Sequence, residues 1–467
     1  MAGMDHIPIH AALAGHAVLA AHVGLAVLAL APAPSQESPV QTFDEYGLTL
    51  TLPAEFTDLT KAPTGNEQLK GRWKAKLGES ALEIDLYVLD SEQFGFAEPG
   101  DVTEIALRNV RDPKRGDPLF WFEKTELVQG AFGWASFGSI GWGDLHDKSG
   151  EKVVGSLYLL GGLLQKHGYS VEVNAEPKLA DDQAKVVLEF LRKGVAYKGV
   201  ARDPKWTDAE ARERWMRDAP KETHAKFEKP LRTAHYLILT NSSGGKKFAE
   251  AMEKSYTTIK KTYPFDDAPG QRLMPVFLFR TPEQYYDYYA KIANTSIEAA
   301  KRSKGHAWRD YYATWYEAPN DPVHIHEATH QIFKNRMYLF GGGSWFQEGV
   351  AEYIETSDNE RNAIATQVKK GRYTPLTEFV QIESLLQSAN EDDPKGDASG
   401  DHYKQAALLI EFLRESKLGK DKFPEFLRSM GRVPYGSLKA IDRTVSSIYG
   451  VDLVGLDAQF VEYCKKR

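Results

Sequence analysis

The sequence predicts an α+β protein made of two successive parts, and three observations lead to this prediction. Between residues 41 and 197, apolar and polar residues alternate in several short runs, as is typical of half-buried antiparallel strands. From residue 233, strands alternate with amphipathic helices, and beyond residue 374 the pattern is helical to the end. The chain has 467 residues, which is too long for one ordinary core.

In the first part, alternating apolar residues predict four strands, at Leu48–Leu52, Leu82–Val88, Ser156–Gly161 and Tyr169–Val173. A helix is predicted to follow, with Asp181 or Asp182 as its N-cap. The opening YGLTLTLPAEF, the late strand and this last helix together resemble small PsbP-like antiparallel-sheet domains. Residues 41–197 are therefore interpreted as an accessory α+β domain.

The second part is predicted to begin after a linker. Residues 198–232 are charged and interrupted by prolines, with one short helix around Asp208–Asp218. Residues 233–467 follow as one domain, in which strand, helix, strand, helix and strand succeed one another. The three strands are predicted at Tyr236–Thr240, Met274–Phe279 and Tyr311–Tyr316.

Residues 1–35 are predicted to be a signal peptide or a membrane anchor. Residues 11–31 are almost all small or apolar, and a Pro/Ser/Gln-rich stretch follows them. Export to the periplasm or the medium is the favoured interpretation, although no Lys or Arg precedes Lys61. An uncleaved anchor formed by residues 11–31 and a wrongly assigned start codon are the alternatives. No other apolar run approaches the ~20 residues that span a bilayer, so no further membrane contact is expected.

Composition excludes several classes of function. Apolar residues make up 42% of the chain and charged residues 26%, as expected for a folded soluble protein. The net charge is −7 and no long basic run occurs, so no nucleic-acid partner is predicted. Cys464 is the only cysteine, which excludes an intrachain disulfide and a metal site made of several thiolates.

The segment DPVHIHEATHQIF contains H-E-x-x-H, a spacing typical of zinc sites. Asp321 is a good N-cap and Pro322 a good first helical residue, so the segment is predicted to be helical. His326 and His330 are four residues apart and therefore lie on one helix face, where both imidazoles can reach one Zn²⁺. A chance match is the alternative, and a further motif is needed to decide.

A catalytic zinc needs a third protein ligand, for which GGGSWFQEGVAEYIE offers a candidate. Ser344 and Gln347 predict a capping box, and hence the start of a second helix. Gly341–Gly343 predicts a flexible turn that brings Glu348 against the first helix. Glu352, one helical turn later, can reach a histidine N–H and orient the ring; the alternative is an ordinary solvated side chain.

Glu327 is the predicted general base. It is adjacent to His326 in sequence and is not needed as a ligand, so it can accept a proton from water that the metal makes more acidic. His324 is predicted to point away from the face that carries His326 and to have a structural role. The expected site thus holds one Zn²⁺ per chain.

The two motifs, H-E-A-T-H and W-F-Q-E-G-V-A-E-Y, resemble the catalytic domain of gluzincins, the thermolysin-like or peptidase-MA-like zinc metallopeptidases. The zinc aminopeptidases among them carry W-L-x-E-G-x-A after H-E-x-x-H, at a spacing close to the 17 residues between His330 and Glu348 here. The resemblance covers residues 233–467, is strongest over 321–355, and extends to a group of secreted bacterial domains. It implies that Glu348 is the third ligand, within a domain of a mixed sheet, zinc-binding helices and a helical C-terminal part.

The resemblance also implies an oxyanion donor. The segment GDHYKQAALLIEFL is similar to the aminopeptidase pattern Y-x-K-G-x-x-x-L, whose tyrosine donates a hydrogen bond to the tetrahedral oxyanion. Tyr403 matches that tyrosine, whereas the lysine is displaced by one place and Ala406 replaces the glycine. His402 is the alternative donor, since a histidine has this role in thermolysin-like enzymes. A packed or solvated tyrosine without a catalytic role is the remaining alternative.

The family places an edge strand before the zinc helix, along which an extended peptide pairs by β-addition. Tyr311–Tyr316 would be that strand here, although it can also be an ordinary core strand. The exopeptidase signature G-x-M-E-N is absent, which argues against a simple aminopeptidase.

The favoured interpretation is a zinc metallopeptidase of the gluzincin type, acting on a peptide or protein substrate. Two other functions are considered. One is a catalytically silent, peptidase-like binding or scaffold protein, which the presence of both histidines, the base and the third ligand disfavours. The other is a zinc hydrolase of a non-peptide bond, because such a site does not by itself define the substrate.

Overall fold

The computed structural model describes residues 39–65, 67–90, 102, 119–120, 124–129, 137–147, 152–163, 167–197, 205–227, 229–267, 271–337, 339–385, 397–433 and 437–467. The predicted signal or anchor segment, 1–35, lies outside these residues, so secretion and anchoring stay predictions. Within the described ranges, no helix combines the length and the apolar character that crossing a membrane requires.

The first part of the chain folds into antiparallel sheets. Its strands are β1 (Val40–Phe43), β2 (Leu48–Thr51), β3 (Thr57–Lys61), β4 (Leu69–Leu77), β5 (Ser80–Asp90), β6 (Leu119–Phe120), β7 (Lys124–Gln129), β8 (Phe137–His146), β9 (Val153–Leu163), β10 (His167–Glu176) and β11 (Val195–Tyr197). A small sheet has the order β1-β2-β11. A large sheet has the order β3-β4-β5-β10-β9-β8-β6, with β7 also paired to β8.

Helix α1 (Asp181–Lys193) covers one face of these sheets with Val187, Phe190 and Leu191, all buried. The four predicted strands and this helix are confirmed. The predicted N-cap is wrong, because Ala180 occupies the cap position and both aspartates lie in the first turn. There, their charges favour the positive end of the helix dipole. The PsbP-like resemblance stays a prediction.

The second part is a five-stranded mixed sheet covered by helices. Its strands are β12 (Leu231–Arg232), β13 (Tyr236–Thr240), β14 (Met274–Phe279), β15 (Gly305–Trp308) and β16 (Tyr311–Trp315). Its helices are α2 (Asp208–Asp218), α3 (Gly245–Thr262), α4 (Pro282–Ile292), α5 (Ile297–Ala300), α6 (Pro322–Asn335), α7 (Ser344–Glu355), α8 (Asp358–Lys369), α9 (Leu376–Phe379), α10 (Asp397–Glu415), α11 (Phe423–Met430), α12 (Leu438–Tyr449) and α13 (Leu453–Lys466). The predicted α+β class is confirmed.

The sheet has the order β12-β13-β14-β16-β15, in which β13, β14 and β16 are parallel and the two outer strands are antiparallel to their neighbours. Helices α3 and α6 pack on one face, which shares a core with the C-terminal helices. The predicted apolar stripe of α3 is fully buried in this core and consists of Phe248, Met252, Tyr256 and Ile259.

Part of the predicted linker is packed structure. Within residues 198–232, α2 carries the buried Trp215, whose ring stacks on Phe227 at 5.1 Å and on the β14 residue Phe277 at 6.0 Å. Helix α2 therefore forms a layer on the sheet face opposite α3, together with α4. The other domain boundaries stay predictions.

The predicted edge strand is wrong. The strand Tyr311–Trp315 lies inside the sheet between β14 and β15, and Gly305–Trp308 forms the edge. The sequence shows no strong alternation over residues 305–308, but a two-residue turn at Arg309 and Asp310 folds this short strand back onto β16. The edge strand β15 is thereby placed beside α6.

Candidate metal centre

Helix α6 begins as its sequence predicts. Asp321 is the N-cap, its carboxylate oxygen accepts a hydrogen bond from the Val323 N–H at 3.1 Å, and Pro322 is the first helical residue. Thr329 and Gln331, on the helix beyond the first turn, are buried as well. The helix is therefore covered on several sides, and its histidines lie in the protein interior rather than on a solvated face.

Helix α7 does not begin with the predicted capping box. Gly343 is the N-cap, and the Ser344 hydroxyl accepts a hydrogen bond from the Leu385 N–H at 3.1 Å instead. The Gln347 amide donates to the carbonyls of Leu339 at 3.1 Å and Gly341 at 2.7 Å. Both side chains thus fasten the start of α7 to neighbouring loops.

The glycine turn before α7 is also more constrained than predicted. Gly342 and Gly343 have φ values of 84° and 87°, in the left-handed region that glycine tolerates. The Gly341 N–H donates to the Gly431 carbonyl at 2.6 Å, and the Gly342 N–H donates to the Val433 carbonyl at 2.7 Å. This turn therefore holds α7 in a defined position against α6.

Three ligand atoms meet between α6 and α7. The Nε2 atoms of His326 and His330 lie 3.1 Å apart. Oε2 of Glu348 lies 3.3 Å from the first and 3.4 Å from the second. Tetrahedral zinc with ligands at ~2.0–2.1 Å sets its ligand atoms about 3.4 Å apart. The structure thus brings the three predicted ligands together at the spacing that zinc needs.

The Glu348 carboxylate supplies an independent test of this fit. Its Oε2 is buried and makes no hydrogen bond, although buried polar atoms nearly always have a partner. The Nε2 atoms of His326 and His330 lie 3.3 and 3.4 Å from it, and imidazole nitrogens are common zinc ligands in proteins. A cation between the three atoms would satisfy all of them, so the donor set fits zinc.

The carboxylates and the imidazoles of the site shift each other's pKa. Burial disfavours the charged form of Glu348, but His330 and His326 outweigh it and hold the pKa of this carboxyl below its ordinary range. Burial also lowers the pKa of His326, and the carboxylates of Glu348 and Glu355 outweigh it and raise that pKa well above its ordinary value. The carboxylates therefore attract positive charge, and a metal ion would displace protons from the imidazoles.

Glu327 is buried next to these ligands and is held by the edge strand. Its Oε2 accepts a hydrogen bond from the Ala307 N–H of β15 at 2.6 Å. Ala307 is paired with Tyr312, and its N–H points away from that partner toward the free edge of the sheet. One carboxylate oxygen is thus fixed, which orients the other oxygen for proton transfer.

The second nitrogen of His326 also has a carboxylate partner. Its Nδ1 lies 2.7 Å from Glu355 Oε2 and 3.5 Å from Glu352 Oε1. Glu352 instead accepts a hydrogen bond from the Thr356 hydroxyl at 2.9 Å. Such a bond can orient a ligating imidazole, so Glu355 is a candidate site residue that the sequence analysis missed.

A signal for Glu355 was available in the spacing. At about 100° per residue, seven residues after Glu348 return to within about 20° of the same helix direction, whereas the four residues to Glu352 overshoot by about 40°. Glu355 therefore lies on the Glu348 face more closely than Glu352 does. The orienting role predicted for Glu352 stays a prediction.

The two candidate oxyanion donors face different surroundings. Burial raises the pKa of Tyr403, as do the nearby carboxylates of Glu348, Glu352 and Glu327, so its hydroxyl stays protonated near the metal ligands. The His402 Nε2 lies 3.0 Å from the Thr374 hydroxyl, beside a cavity that Arg372 also lines. The side chain near the metal ligands is therefore that of Tyr403.

His324 has the structural role that its position predicts. Its Nδ1 lies 2.8 Å from the Tyr312 hydroxyl and its Nε2 2.9 Å from the Ala318 carbonyl. The ring is buried and packs edge-on against Phe248 at 4.9 Å. Both nitrogens are thus used for packing α6 on the sheet.

Comparison with known proteins gives a coarse likeness. No protein-family model and no curated protein matches the chain. Among solved structures, an M1 zinc metallopeptidase from Deinococcus radiodurans matches with a TM-score of 0.29 and 12% identity, over 84% of this chain and 90% of that one. A mutant of a two-domain M1 zinc metallopeptidase bound to L-tryptophan matches with a TM-score of 0.30, at the same 12% identity over 84% and 90%. Because such scores are low, the function has to be inferred from this chain's own side chains.

Those side chains combine a candidate cation site with a further buried carboxylate. His326, His330 and Glu348 supply three protein ligands, which leaves a tetrahedral ion one open position, as catalytic zinc sites require. Glu327 adds a carboxylate that is not part of this ligand group. The arrangement can therefore bind a metal and move a proton beside it.

Proposed function

We propose that this chain is a zinc-dependent peptidase of the gluzincin type, with one Zn²⁺ held by His326, His330 and Glu348. The observation that carries the proposal is the buried group of three ligand atoms, 3.1–3.4 Å apart, in which Glu348 Oε2 has no hydrogen bond. Zinc there would supply a Lewis acid that makes water more acidic and polarises a carbonyl group.

The chain's own residues perform the remaining steps. Glu327 accepts a proton from the attacking water and passes it to the departing amine. The Ala307 N–H, bonded to Glu327 at 2.6 Å, keeps the carboxylate in position for both transfers. Tyr403 donates a hydrogen bond to the oxyanion, and Glu355 holds the ring of His326 in the ligating orientation.

A peptide substrate fits the free edge of the sheet. Among the strands that the structure describes, β15 pairs with β16 only, and an extended peptide can add to such an edge through its backbone. Because Ala307 lies on β15 and contacts Glu327, a peptide paired with β15 passes next to the base. Export of the protein through residues 1–35 is part of the same proposal.

The substitution Glu327→Gln tests the proposal because it keeps the shape of the side chain but cannot accept a proton. We expect full zinc content and a turnover lowered by at least ~10²–10⁴ on any peptide that the wild type cleaves. Zinc is measured by elemental analysis and cleavage by digestion of a peptide library. Glu317→Gln, an exposed change close to α6, is the matched control and should behave like the wild type.

Two outcomes would contradict the proposal. Unchanged turnover in Glu327→Gln would exclude Glu327 as the base. A zinc-loaded wild type that cleaves no peptide, but binds peptides, would favour the silent binding protein instead.

A further inference from the structure

The edge strand β15 leads into a cationic side chain, Arg309, that stacks on an aromatic ring. The guanidinium carbon of Arg309 lies 4.6 Å from the ring centre of Trp308, in a cation–π stack. Among the residues that the structure describes, no carboxylate forms an ion pair with Arg309. The adjacent Asp310 is buried and accepts two hydrogen bonds from Arg214, at 3.0 and 3.2 Å.

A second arginine–tryptophan stack, between Arg272 and Trp206, includes a carboxylate that bonds the guanidinium. The guanidinium of Arg272 lies 3.4 Å from the ring centre of Trp206, and its Nη2 donates to Glu210 at 3.1 Å. In that stack, an aromatic face and a carboxylate together satisfy the guanidinium. The stack on Trp308 offers the same aromatic face without the carboxylate.

The position of Arg309 is fixed relative to the metal centre. Its backbone is left-handed, with φ of 53°, and its carbonyl accepts a hydrogen bond from Asn335 at 3.4 Å. The Asp310 carbonyl accepts one from Gln331 at 2.7 Å. Because Gln331 and Asn335 belong to α6, which carries both candidate histidine ligands, the turn is fastened to the metal helix itself.

The order of residues along β15 determines which part of a substrate Arg309 meets. Ala307, whose N–H contacts Glu327, lies on β15, and Arg309 follows two residues later, in the turn after the strand. An antiparallel partner strand is the more stable arrangement at a sheet edge. A peptide so oriented runs opposite to β15 and therefore places residues from the N-terminal side of its scissile bond beside Arg309.

We infer that Trp308 and Arg309 form a subsite for an acidic side chain of the substrate, an Asp or Glu within three residues on the N-terminal side of the scissile bond. This inference rests on the proposed peptidase function. The planar guanidinium can donate two parallel hydrogen bonds to a carboxylate while it stays stacked on Trp308. The substrate class is therefore peptides with an acidic residue before the cleaved bond.

The test compares matched peptides that carry Glu, Gln or Lys at one of three positions before the scissile bond. A second set carries the same residues after the bond, with a free or an amidated C-terminus. With the full-length zinc-loaded protein, we expect kcat/KM for Glu before the bond to exceed that for Gln by roughly tenfold to a hundredfold.

Variants assign this preference to a residue. Arg309→Gln should remove the preference, so that kcat/KM for the Glu peptide falls to the value that the same variant shows for the Gln peptide. Arg309→Lys should keep part of the preference, because the charge remains but the planar fork is lost. Arg302→Gln, which removes an equal charge from an exposed neighbouring position, is the control and should keep the preference.

Equal cleavage of the Glu and Gln peptides by the wild type would overturn the inference but leave the peptidase function intact. A preference that persists in Arg309→Gln would overturn the assignment to Arg309. A preference confined to the C-terminal side, or to a free C-terminus, would overturn the assigned substrate orientation. A wild type that cleaves no peptide would contradict the proposed function as well.

Discussion

Two buried carboxylates, one in each part of the molecule, are satisfied in opposite ways. Asp85 on β5 is 5% exposed, and it accepts hydrogen bonds from Arg72 at 2.7 and 2.5 Å and from the Tyr87 hydroxyl at 3.3 Å. Glu348 on α7 is 3% exposed, and its Oε2 has no hydrogen bond and lies 3.3 and 3.4 Å from the Nε2 atoms of His326 and His330.

The difference lies in what surrounds each buried charge. A buried charge is costly unless it is paired or coordinates a metal. The guanidinium of Arg72 is the cation that pairs with Asp85, so the charge of this carboxylate is compensated within the sheet. Among the residues that the structure describes, no arginine or lysine forms an ion pair with Glu348, which lies beside the imidazoles of His326 and His330, and we infer that a metal ion binds between the three side chains.

The tyrosines beside the two carboxylates give the largest predicted effect. Tyr403 lies near Glu348 and makes no hydrogen bond with the residues that the structure describes, whereas Tyr87 donates to Asp85. We expect Tyr403→Phe to lower kcat by ~10²–10³ with little change in zinc content or KM, because the lost bond forms mainly in the transition state. Steady-state kinetics measures this, with Tyr87→Phe as the unaffected control.

The alternative donor is tested in the same assay. His402→Ala should lower turnover less than Tyr403→Phe, since the His402 imidazole contacts Thr374. If His402→Ala lowers turnover strongly and Tyr403→Phe lowers it little, His402 is the donor, and the aminopeptidase-like interpretation of this segment is excluded.

A smaller effect is expected from the carboxylates that lie near Nδ1 of His326. Glu355→Gln should weaken zinc binding by ~10–100-fold, because it removes the carboxylate 2.7 Å from Nδ1 that orients the ring. Glu352→Gln should weaken it less, since Glu352 Oε1 is 3.5 Å away. Competition with a chelator of known affinity measures both, and a larger loss in Glu352→Gln would make Glu352 the orienting residue.

The smallest effect on the metal is expected from Asp85. Asp85→Asn removes a charged partner of Arg72 and should lower the free energy of unfolding by about 2 kcal/mol, with zinc binding unchanged. Denaturant unfolding followed by far-ultraviolet circular dichroism measures the stability. A parallel loss of zinc affinity would show that the two carboxylates are not independent.

How far the sequence could predict these features depends on the range of the contacts involved. Helix α6 was predictable from Asp321, Pro322 and the spacing of two histidines, because capping and helix faces are local. The start of α7 was not, since Ser344 bonds the distant Leu385 and the glycine turn is fastened to residues 431–433. A capping box in sequence is only a local preference, which these longer-range contacts outweighed.

The edge strand of the sheet could not be predicted from the sequence either, because it also depends on contacts between residues that are distant along the chain. Tyr311–Trp315 has the aromatic residues of a typical strand, whereas Gly305–Trp308 is short and includes the buried His306. That histidine is satisfied by the hydroxyls of Tyr285 at 3.1 Å and Tyr311 at 3.3 Å, and neither contact is visible in the local sequence. The hydrogen bond from the Ala307 N–H to Glu327 depends on the position of this edge strand, so the sequence did not predict it.

The most direct test of the account is the zinc content of Glu348→Gln beside that of the wild type. The substitution keeps the size of the side chain and removes the buried negative charge between the two imidazoles. We predict one zinc per wild-type chain, one in Asp85→Asn, and no stoichiometric zinc in Glu348→Gln, measured by elemental analysis after dialysis against a metal-free buffer. Full zinc occupancy in Glu348→Gln, or none in the wild type, would contradict the assignment of this site.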